Sequence, residues 1–364
     1  MKVLLLSISP NQSGNRQRTD YLADALRLAG HEPYIVRWKS WRQFGAHNEE
    51  ITNQLSIQLL PTAAKWLPNN KIPIWNQTLA WMKIKGIVRK LKIDAVICPN
   101  NWYVIGYPPH KFEVPIIIDY FDLLSDEMEQ QFLVKDRTAL CTSIELQIRA
   151  SRWTKNAHWI PTPIDTSKFC IPKIEAKKLI GISPDTLLIS LIGLTASRKL
   201  YFMDAIDQLD IPNVKCLLIG DGELADPIRQ KIMESRHPDR FEMLGKVPYS
   251  EVPKYFCASD IGLYPGDEDD YYQCACPIKV LEYTAAGAEV VSNELRELKH
   301  WGFPNVRLVS PSSEGFQEAI RKAVTSQGNK GELEQFTLST VSKNINCVLH
   351  SVLFNDAACR GAII

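Results

Sequence analysis

Pro277-Ile278-Lys279-Val280-Leu281-Glu282-Tyr283-Thr284-Ala285-Ala286-Gly287-Ala288-Glu289-Val290-Val291 reads as a helix that opens on proline, closes on glycine and runs directly into a strand. Proline suits the first helical position because its missing N–H would have had no partner there. Glycine just past the last turn accepts the left-handed cap. A helix start of this kind suits an anion: its unpaired N–H groups and dipole favour phosphate. Lys279 and Glu282 lie about one turn inside, where a cation can meet phosphate oxygens and a carboxylate can grip a diol. A well-capped surface helix would read the same way from this stretch alone.

Working outward, the second half alternates strand and helix. Strands are expected at Leu187 to Ile192, Val214 to Ile219, Phe241 to Leu244, Asp260 to Leu263 and Glu289 to Val291, with helices near 201–208, 224–234 and 251–258. The front of the chain opens in the same manner. Val3 to Ile8 reads as a buried strand, 11–15 as a polar loop containing Gly14 and Asn15, 16–28 as a helix ended by Gly30, and Tyr34 to Val36 as a second strand. Short apolar runs at Ala95 to Cys98, Pro115 to Asp119 and Ala139 to Cys141 supply further parallel strands, their continuous hydrophobicity fitting burial on both faces. The expected architecture is α/β, with two doubly wound Rossmann-like domains facing across a cleft. The first spans 1–165 and the second 186–335. They are joined by a linker, 166–185, marked by prolines and poor periodicity. A helical segment, 336–364, is expected to pack back toward the first domain.

With 364 residues, 45% of them hydrophobic and 23% charged, the chain has material for two cores. A net charge of +1 gives no field for nucleic acid. The halves differ: residues 1–170 carry 21 Lys and Arg against 15 Asp and Glu, and the remainder 21 against 26. Nine scattered cysteines imply neither a disulfide framework nor a zinc site. No apolar run is long enough to cross a bilayer. The expected location is the cytoplasm, or the inner face of a membrane. That second place rests on Trp75 to Lys92, where Trp75, Leu79, Met82, Ile87 and Leu91 mix with Lys83, Lys85, Arg89, Lys90 and Lys92. A basic amphipathic stretch can rest on an anionic leaflet or simply be a core helix with a solvated back.

Chemistry concentrates at strand ends. Ile192-Gly193-Leu194-Thr195-Ala196-Ser197-Arg198-Lys199 places a glycine at a strand end and two cations a few residues on, where open α/β sheets bind ligands. Leu218-Ile219-Gly220-Asp221-Gly222-Glu223-Leu224 repeats strand, glycine turn and helix, so that Gly220 and Gly222 allow close approach of backbone to a ligand. Taken in order, Gly193 to Lys199, LLIGDGEL, LGKVPYSEVPKYFCASDIGLYPG and PIKVLEYTAAGAEVV resemble the donor half of the GT-B glycosyltransferases of family 4. Near the front, SISPNQSGNRQRTDYLADALRLAGHE resembles that family's acceptor loop and helix, and IPTPIDTSKF its interdomain motif.

The resemblance implies sugar transfer from a nucleoside diphosphate donor with retention of configuration, without an obligatory metal or other cofactor, to a glycan, lipid-linked or small-molecule acceptor. It implies that Lys199, with the adjacent Arg198, meets the diphosphate, that Lys279 assists, that Glu282 holds the ribose hydroxyls, and that backbone around Val247 reads the base. Gly193, Gly220 and Gly222 fall in the donor loops, and Gly14 and Asn15 in the acceptor loop. Asp122 or Asp119 would orient the acceptor. Three positions depart from the family pattern: Leu194 stands for an arginine, Cys274 for the first glutamate of a pair that ends at Glu282, and Phe121 for a histidine. These departures leave open a second reading, a catalytically impaired relative that binds a nucleotide or a partner.

Two other patterns compete. Asp267-Glu268-Asp269-Asp270 contains a D-x-D that can hold a divalent cation, although an acidic loop beside Lys279 suits sugar hydroxyls or solvent better. Ser9-Pro10-Asn11-Gln12-Ser13-Gly14 lacks G-x-G-x-x-G, which disfavours a nicotinamide domain. His31, in a helix-to-strand turn, reads as structural, and His110 follows two prolines with no motif around it.

Overall fold

The structure is a computed structural model that describes residues 1–7, 17–39, 54–58, 74–100, 106–134, 136–194, 200–267, 269–326 and 331–354. It divides into two compact units. One comprises Met1–Pro163, Cys274–Cys276 and Leu338 onward; the other comprises Ile164–Gln273 and Pro277–Thr337.

In the first unit the described elements run β1 (Lys2–Leu6), α1 (Arg18–Leu28), β2 (Glu32–Lys39), β3 (Gln54–Gln58), α2 (Ile74–Leu91), β4 (Ala95–Pro99), β5 (Ile116–Tyr120), α3 (Asp126–Phe132), β6 (Thr138–Cys141), α4 (Ile144–Ala150) and β7 (Asn156–Trp159). The strands pair in parallel in the order β3-β2-β1-β4-β5-β6-β7. Alternate residues of each strand face opposite layers. Val3, Leu5, Ile97, Ile117 and Leu140 pack toward α1, while Leu4, Leu6, Val96, Cys98, Ile118 and Cys141 share a cluster with Ala80, Ile84 and Val88 of α2. Both faces are covered, which explains why these strands read as unbroken apolar runs.

Helix α2 changes the reading of Trp75 to Lys92. Ala80, Trp81, Ile84 and Val88 are buried against the sheet and Leu79, Ile87 and Leu91 are half-buried, so most of the apolar stripe is core, while Met82 is exposed. Met82, Lys83, Lys85, Arg89, Lys90 and Lys92 point outward, and Lys85 and Arg89 both meet Glu113. The side chain of Trp75 lies outside the described residues. No helix among the described residues is long and apolar enough to cross a membrane.

The second unit runs through a 3-10 turn (Thr166–Phe169), α5 (Lys173–Leu179), β8 (Leu187–Ile192), α6 (Tyr201–Asp207), β9 (Val214–Ile219), α7 (Ala225–Met233), β10 (Phe241–Gly245), α8 (Val252–Ala258), β11 (Ile261–Tyr264), α9 (Asp270–Cys274), α10 (Ile278–Ala286), β12 (Glu289–Asn293), α11 (Arg296–Trp301), β13 (Val306–Val309) and α12 (Ser313–Val324). Its parallel sheet is ordered β10-β9-β8-β11-β12-β13.

The stretch 166–185, read from its prolines as a linker, is stitched to this sheet. Lys177 of α5 is buried, and its ammonium donates to the carbonyls of Pro184 and Thr186 and to Asp260 Oδ2 at 2.6 Å. The same carboxylate oxygen accepts the Leu188 N–H at 2.8 Å. Three lysines in seven residues masked a helix that buries one of them through its charge.

The last described helix, α13 (Leu338–Phe354), belongs to the first unit and packs on α1 through Val341, Ile345, Val348 and Leu349. Ser342 Oγ donates to the Ala25 carbonyl at 2.8 Å. The ring of His31 lies 2.9 Å from Asn346 Oδ1, and burial holds its pKa below the usual imidazole range.

Candidate active site

Helix α10 ends as its sequence dictates. Gly287 adopts φ 76°, ψ 27°, and Ala288 N–H returns to the Tyr283 carbonyl at 3.0 Å. Its start differs from expectation by one residue. Pro277 stands just ahead of the first helical residue, its carbonyl accepting Val280 N–H at 2.9 Å, and it puts no capping side chain on the first N–H groups. Pro277 thus satisfies the Val280 N–H and offers no partner to the N–H groups of Ile278 and Lys279, which are the ones left to attract an anion.

Glu282 is 7% exposed, and its Oε2 accepts from Lys279 Nζ at 3.2 Å. Burial raises the carboxyl pKa above the usual range, while Lys279 and, less strongly, Lys168 pull it down. Lys279 also sits over the Phe256 ring, 5.7 Å from its centroid. Lys168 lies within IPTPIDTSKF, at a position that this interdomain stretch leaves unmarked. It comes from the 3-10 turn, and its ammonium lies over the ring of Tyr249, just beyond β10.

The carboxyl ends of β8, β9 and β10 meet in glycine turns. Gly193 N–H donates to the Ile219 carbonyl at 2.7 Å and Gly220 N–H to the Gly245 carbonyl at 2.8 Å. Gly193 has φ 83° and Gly220 φ 131°, and a Cβ on Gly220 would come within 3.1 Å of Leu194 N. The two turns are thus in contact, which only glycine at 220 permits. Gly222 has φ 149° and space around it, and Val247 lies half-buried two residues past Gly245. Helix α10 joins this edge directly, because the Tyr283 hydroxyl accepts the Ile192 N–H at 3.2 Å. Lys279, Glu282, Gly193 and Gly220 therefore belong to one end of one sheet. Lys199 and Arg198 lie outside the described residues, as do Gly14 and Asn15.

Two expectations change with the geometry, those for Cys274 and Asp119. Cys274 is 1% exposed within the apolar cluster of the first unit, and its carbonyl accepts from Ser143 Oγ at 2.6 Å, so its thiol presents nothing to a sugar. Leu194 is also buried, in the second unit's core. Asp119 is 4% exposed and ion-paired with Arg18, whose Nε donates at 2.7 Å while its other nitrogens reach Thr162 Oγ1 and the Ile160 carbonyl. A carboxylate buried and engaged in this way holds the end of β5 together rather than meeting an acceptor. Asp122, half-buried, follows on a loop fixed by Asn100: Asn100 Nδ2 donates to the Asp122 carbonyl at 2.5 Å, and Phe121 N–H donates to Asn100 Oδ1 at 3.2 Å. Asn100 carries no mark in the sequence because it ends a strand without any motif.

The acidic loop is used locally. Asp269 Oδ1 accepts Tyr272 N–H at 2.9 Å and Asp270 pairs with Arg296, while Glu268 lies outside the described residues. Among the described residues, no three His, Cys, Asp or Glu side chains gather as a metal site would require.

Residues 189–326 match the family described as glycosyl transferases group 1. The chain is 24% identical to a subunit of phosphatidylinositol N-acetylglucosaminyltransferase from Arabidopsis thaliana, over 89% of this chain and 74% of that protein. Among solved structures it resembles sucrose-phosphate synthase from Thermosynechococcus elongatus, with TM-score 0.69, 16% identity and coverage of 99% and 97% of the two chains. It also resembles Anabaena HepE in complex with UDP and glucose, with TM-score 0.63, 15% identity and coverage of 97% and 95%. Two parallel doubly wound sheets give the chain a GT-B fold, and the segment that matches glycosyl transferases group 1 spans the second of them.

Proposed function

We propose that the chain transfers a sugar, with retention of configuration, from a nucleoside diphosphate sugar held by the second unit to a hydroxyl of a lipid-linked acceptor received by the first. The observation that carries the donor half is the buried Glu282, paired with the partly exposed Lys279 in the first half of α10, on the sheet end that holds the glycine turns of β8 and β9. Glu282 would accept from the ribose hydroxyls. The ammonium of Lys279, the N–H groups of the helix start, and Lys199 with Arg198 would meet the diphosphate. As the bond to the anomeric carbon breaks, charge grows on the departing diphosphate, and fixed cations and dipoles stabilise it most at that moment. This arrangement supplies its positive charge without a metal ion, so transfer is expected to survive EDTA.

The lipid-linked acceptor draws support from the Arabidopsis relative, whose name specifies phosphatidylinositol. It also fits the outward cations of α2, which would meet an anionic membrane surface mainly by charge, since most of the apolar stripe of that helix is core. Asp122 would orient the acceptor hydroxyl.

The test has two parts. Melting with UDP, GDP and ADP is expected to show stabilisation by one of them. UDP-N-acetylglucosamine with vesicles containing phosphatidylinositol, with and without EDTA, is then the first transfer assay. Stabilisation without transfer to any acceptor favours the second reading, a nucleotide-binding relative with impaired catalysis, which the buried thiol at Cys274 supports. No response to any nucleotide contradicts both.

A further inference from the structure

We propose that Tyr283 is the positioning residue of the donor site: its hydroxyl fixes the start of α10 against the carboxyl end of β8, so that both address one diphosphate. The proposal rests on the donor reading above.

The order of the second sheet reverses between β8 and β11, since β9 and β10 extend to one side and β12 and β13 to the other. Ligands of open α/β sheets bind outside the strand ends at such a reversal. Here the two strands pair only at Ile261 with Ile189 and Gly262 with Ser190. Beyond that point the two strands no longer pair, and the Ile192 N–H lies past the last paired residues. One hydroxyl spans this step: Tyr283 donates to the carbonyl of Ser190, the last paired residue, at 2.9 Å and accepts from the Ile192 N–H at 3.2 Å.

The reach is possible because residue 262 is glycine. A Cβ there would lie 2.3 Å from the Tyr283 ring. The ring is completely buried, with Phe256 edge-on at 4.7 Å between centroids. A second layer holds the serine in place. Ser190 Oγ lies 2.6 Å from Ser259 Oγ, which gives its own proton to the Tyr255 carbonyl, leaving Ser190 as donor in that pair.

Tyr283 directly follows Glu282, and Ile192 directly precedes Gly193. The hydroxyl therefore sets the distance between the carboxylate of the helix and the turn that leads to Lys199. Ligands that bridge two elements lose affinity steeply when the spacing between those elements relaxes. A tyrosine that served stability alone would leave affinity unchanged once the protein is folded.

The experiment is titration calorimetry of UDP, GDP and ADP against the folded full-length wild type, Tyr283→Phe, Ser259→Ala and Gly262→Ala, well below their melting temperatures. Tyr283→Phe keeps the ring and is expected to raise the dissociation constant about tenfold, with the donor KM rising in parallel and the acceptor KM unchanged. Gly262→Ala, which displaces the ring, is expected to weaken binding at least as much. Ser259→Ala disturbs the same buried network but leaves the Ile192 contact, so its affinity should stay within about twofold of wild type. Wild-type affinity in Tyr283→Phe, or equal weakening in Ser259→Ala, overturns the proposal while leaving the donor reading intact. Should Tyr283→Phe fail to fold, wild-type affinity in Gly262→Ala overturns it equally. A wild-type protein that binds none of the three nucleotides overturns the donor reading and this proposal together.

Discussion

Glu282→Ala is expected to weaken binding of the nucleoside diphosphate about 100-fold, as read by calorimetry, with Glu282→Gln losing about tenfold. The reasoning starts from burial. Glu282 is 7% exposed, and the ammonium of Lys279 lies 3.2 Å away. Hydrogen bonds from a ribose diol to a charged acceptor withdrawn from water are worth more than neutral ones, and alanine removes both at once. Glutamine keeps the shape and one acceptor oxygen but loses the charge. The fold should tolerate either change, because Lys279, about one-third exposed, can turn to solvent when its partner is gone. A nucleotide affinity unaltered in Glu282→Ala would remove the carboxylate from the site.

Arg18→Ala is expected to destabilise the first unit by about 3–5 kcal/mol, because it strands the buried carboxylate of Asp119. At about 2–4 °C per kcal/mol for a unit of this size, its melting point should fall by roughly 10 °C. The double variant Arg18→Ala/Asp119→Ala should recover part of the loss, since it removes the unpaired charge. The deficit should also depend on pH. Burial raises the Asp119 pKa, with Arg18 opposing it. Without Arg18 the folded state holds its proton still more tightly than the unfolded chain does. Folding is then favoured at low pH, and the deficit of Arg18→Ala grows as pH rises through the folded-state pKa. Melting curves of the wild type and both variants between pH 5 and 8 check the sign. A deficit that shrank as pH rose would contradict the assignment.

The repeating units of both sheets could be read from sequence because their signals are short and local. Buried parallel strands are unbroken apolar runs, and Leu187–Ile192 and Val214–Ile219 fall where their runs do. The strands that carry no such signal, Gln54–Gln58, Asn156–Trp159 and Val306–Val309, lie at sheet margins, where burial on two faces is not demanded and polar residues enter. Helix α5 is hidden because its main anchor, Lys177, reads as a surface residue until Asp260 is brought beside it by tertiary folding.

The site divides in the same way. Glycine turns and the late helix carry local marks, so Gly193, Gly220, Lys279 and Glu282 could be named from sequence. Asp119 could not be separated from Asp122, because Arg18 reaches Asp119 from 101 residues away. Likewise Cys274 stands eight residues before Glu282 in sequence, yet its side chain is committed to the apolar cluster of the first unit. Tyr283 looks like one more apolar position of its helix, and only the early end of the β8–β11 pairing shows what its hydroxyl serves.

The most direct test of a diphosphate at the start of α10 is residue-resolved amide hydrogen exchange of the wild-type protein with and without the nucleoside diphosphate that stabilises it. Bound phosphate oxygens should slow exchange at Ile278 and Lys279 together with Leu194 to Lys199, leaving the first strands of the other unit unchanged. Nucleotide binding that protects other amides while exchange at those two stretches stays the same would contradict the account.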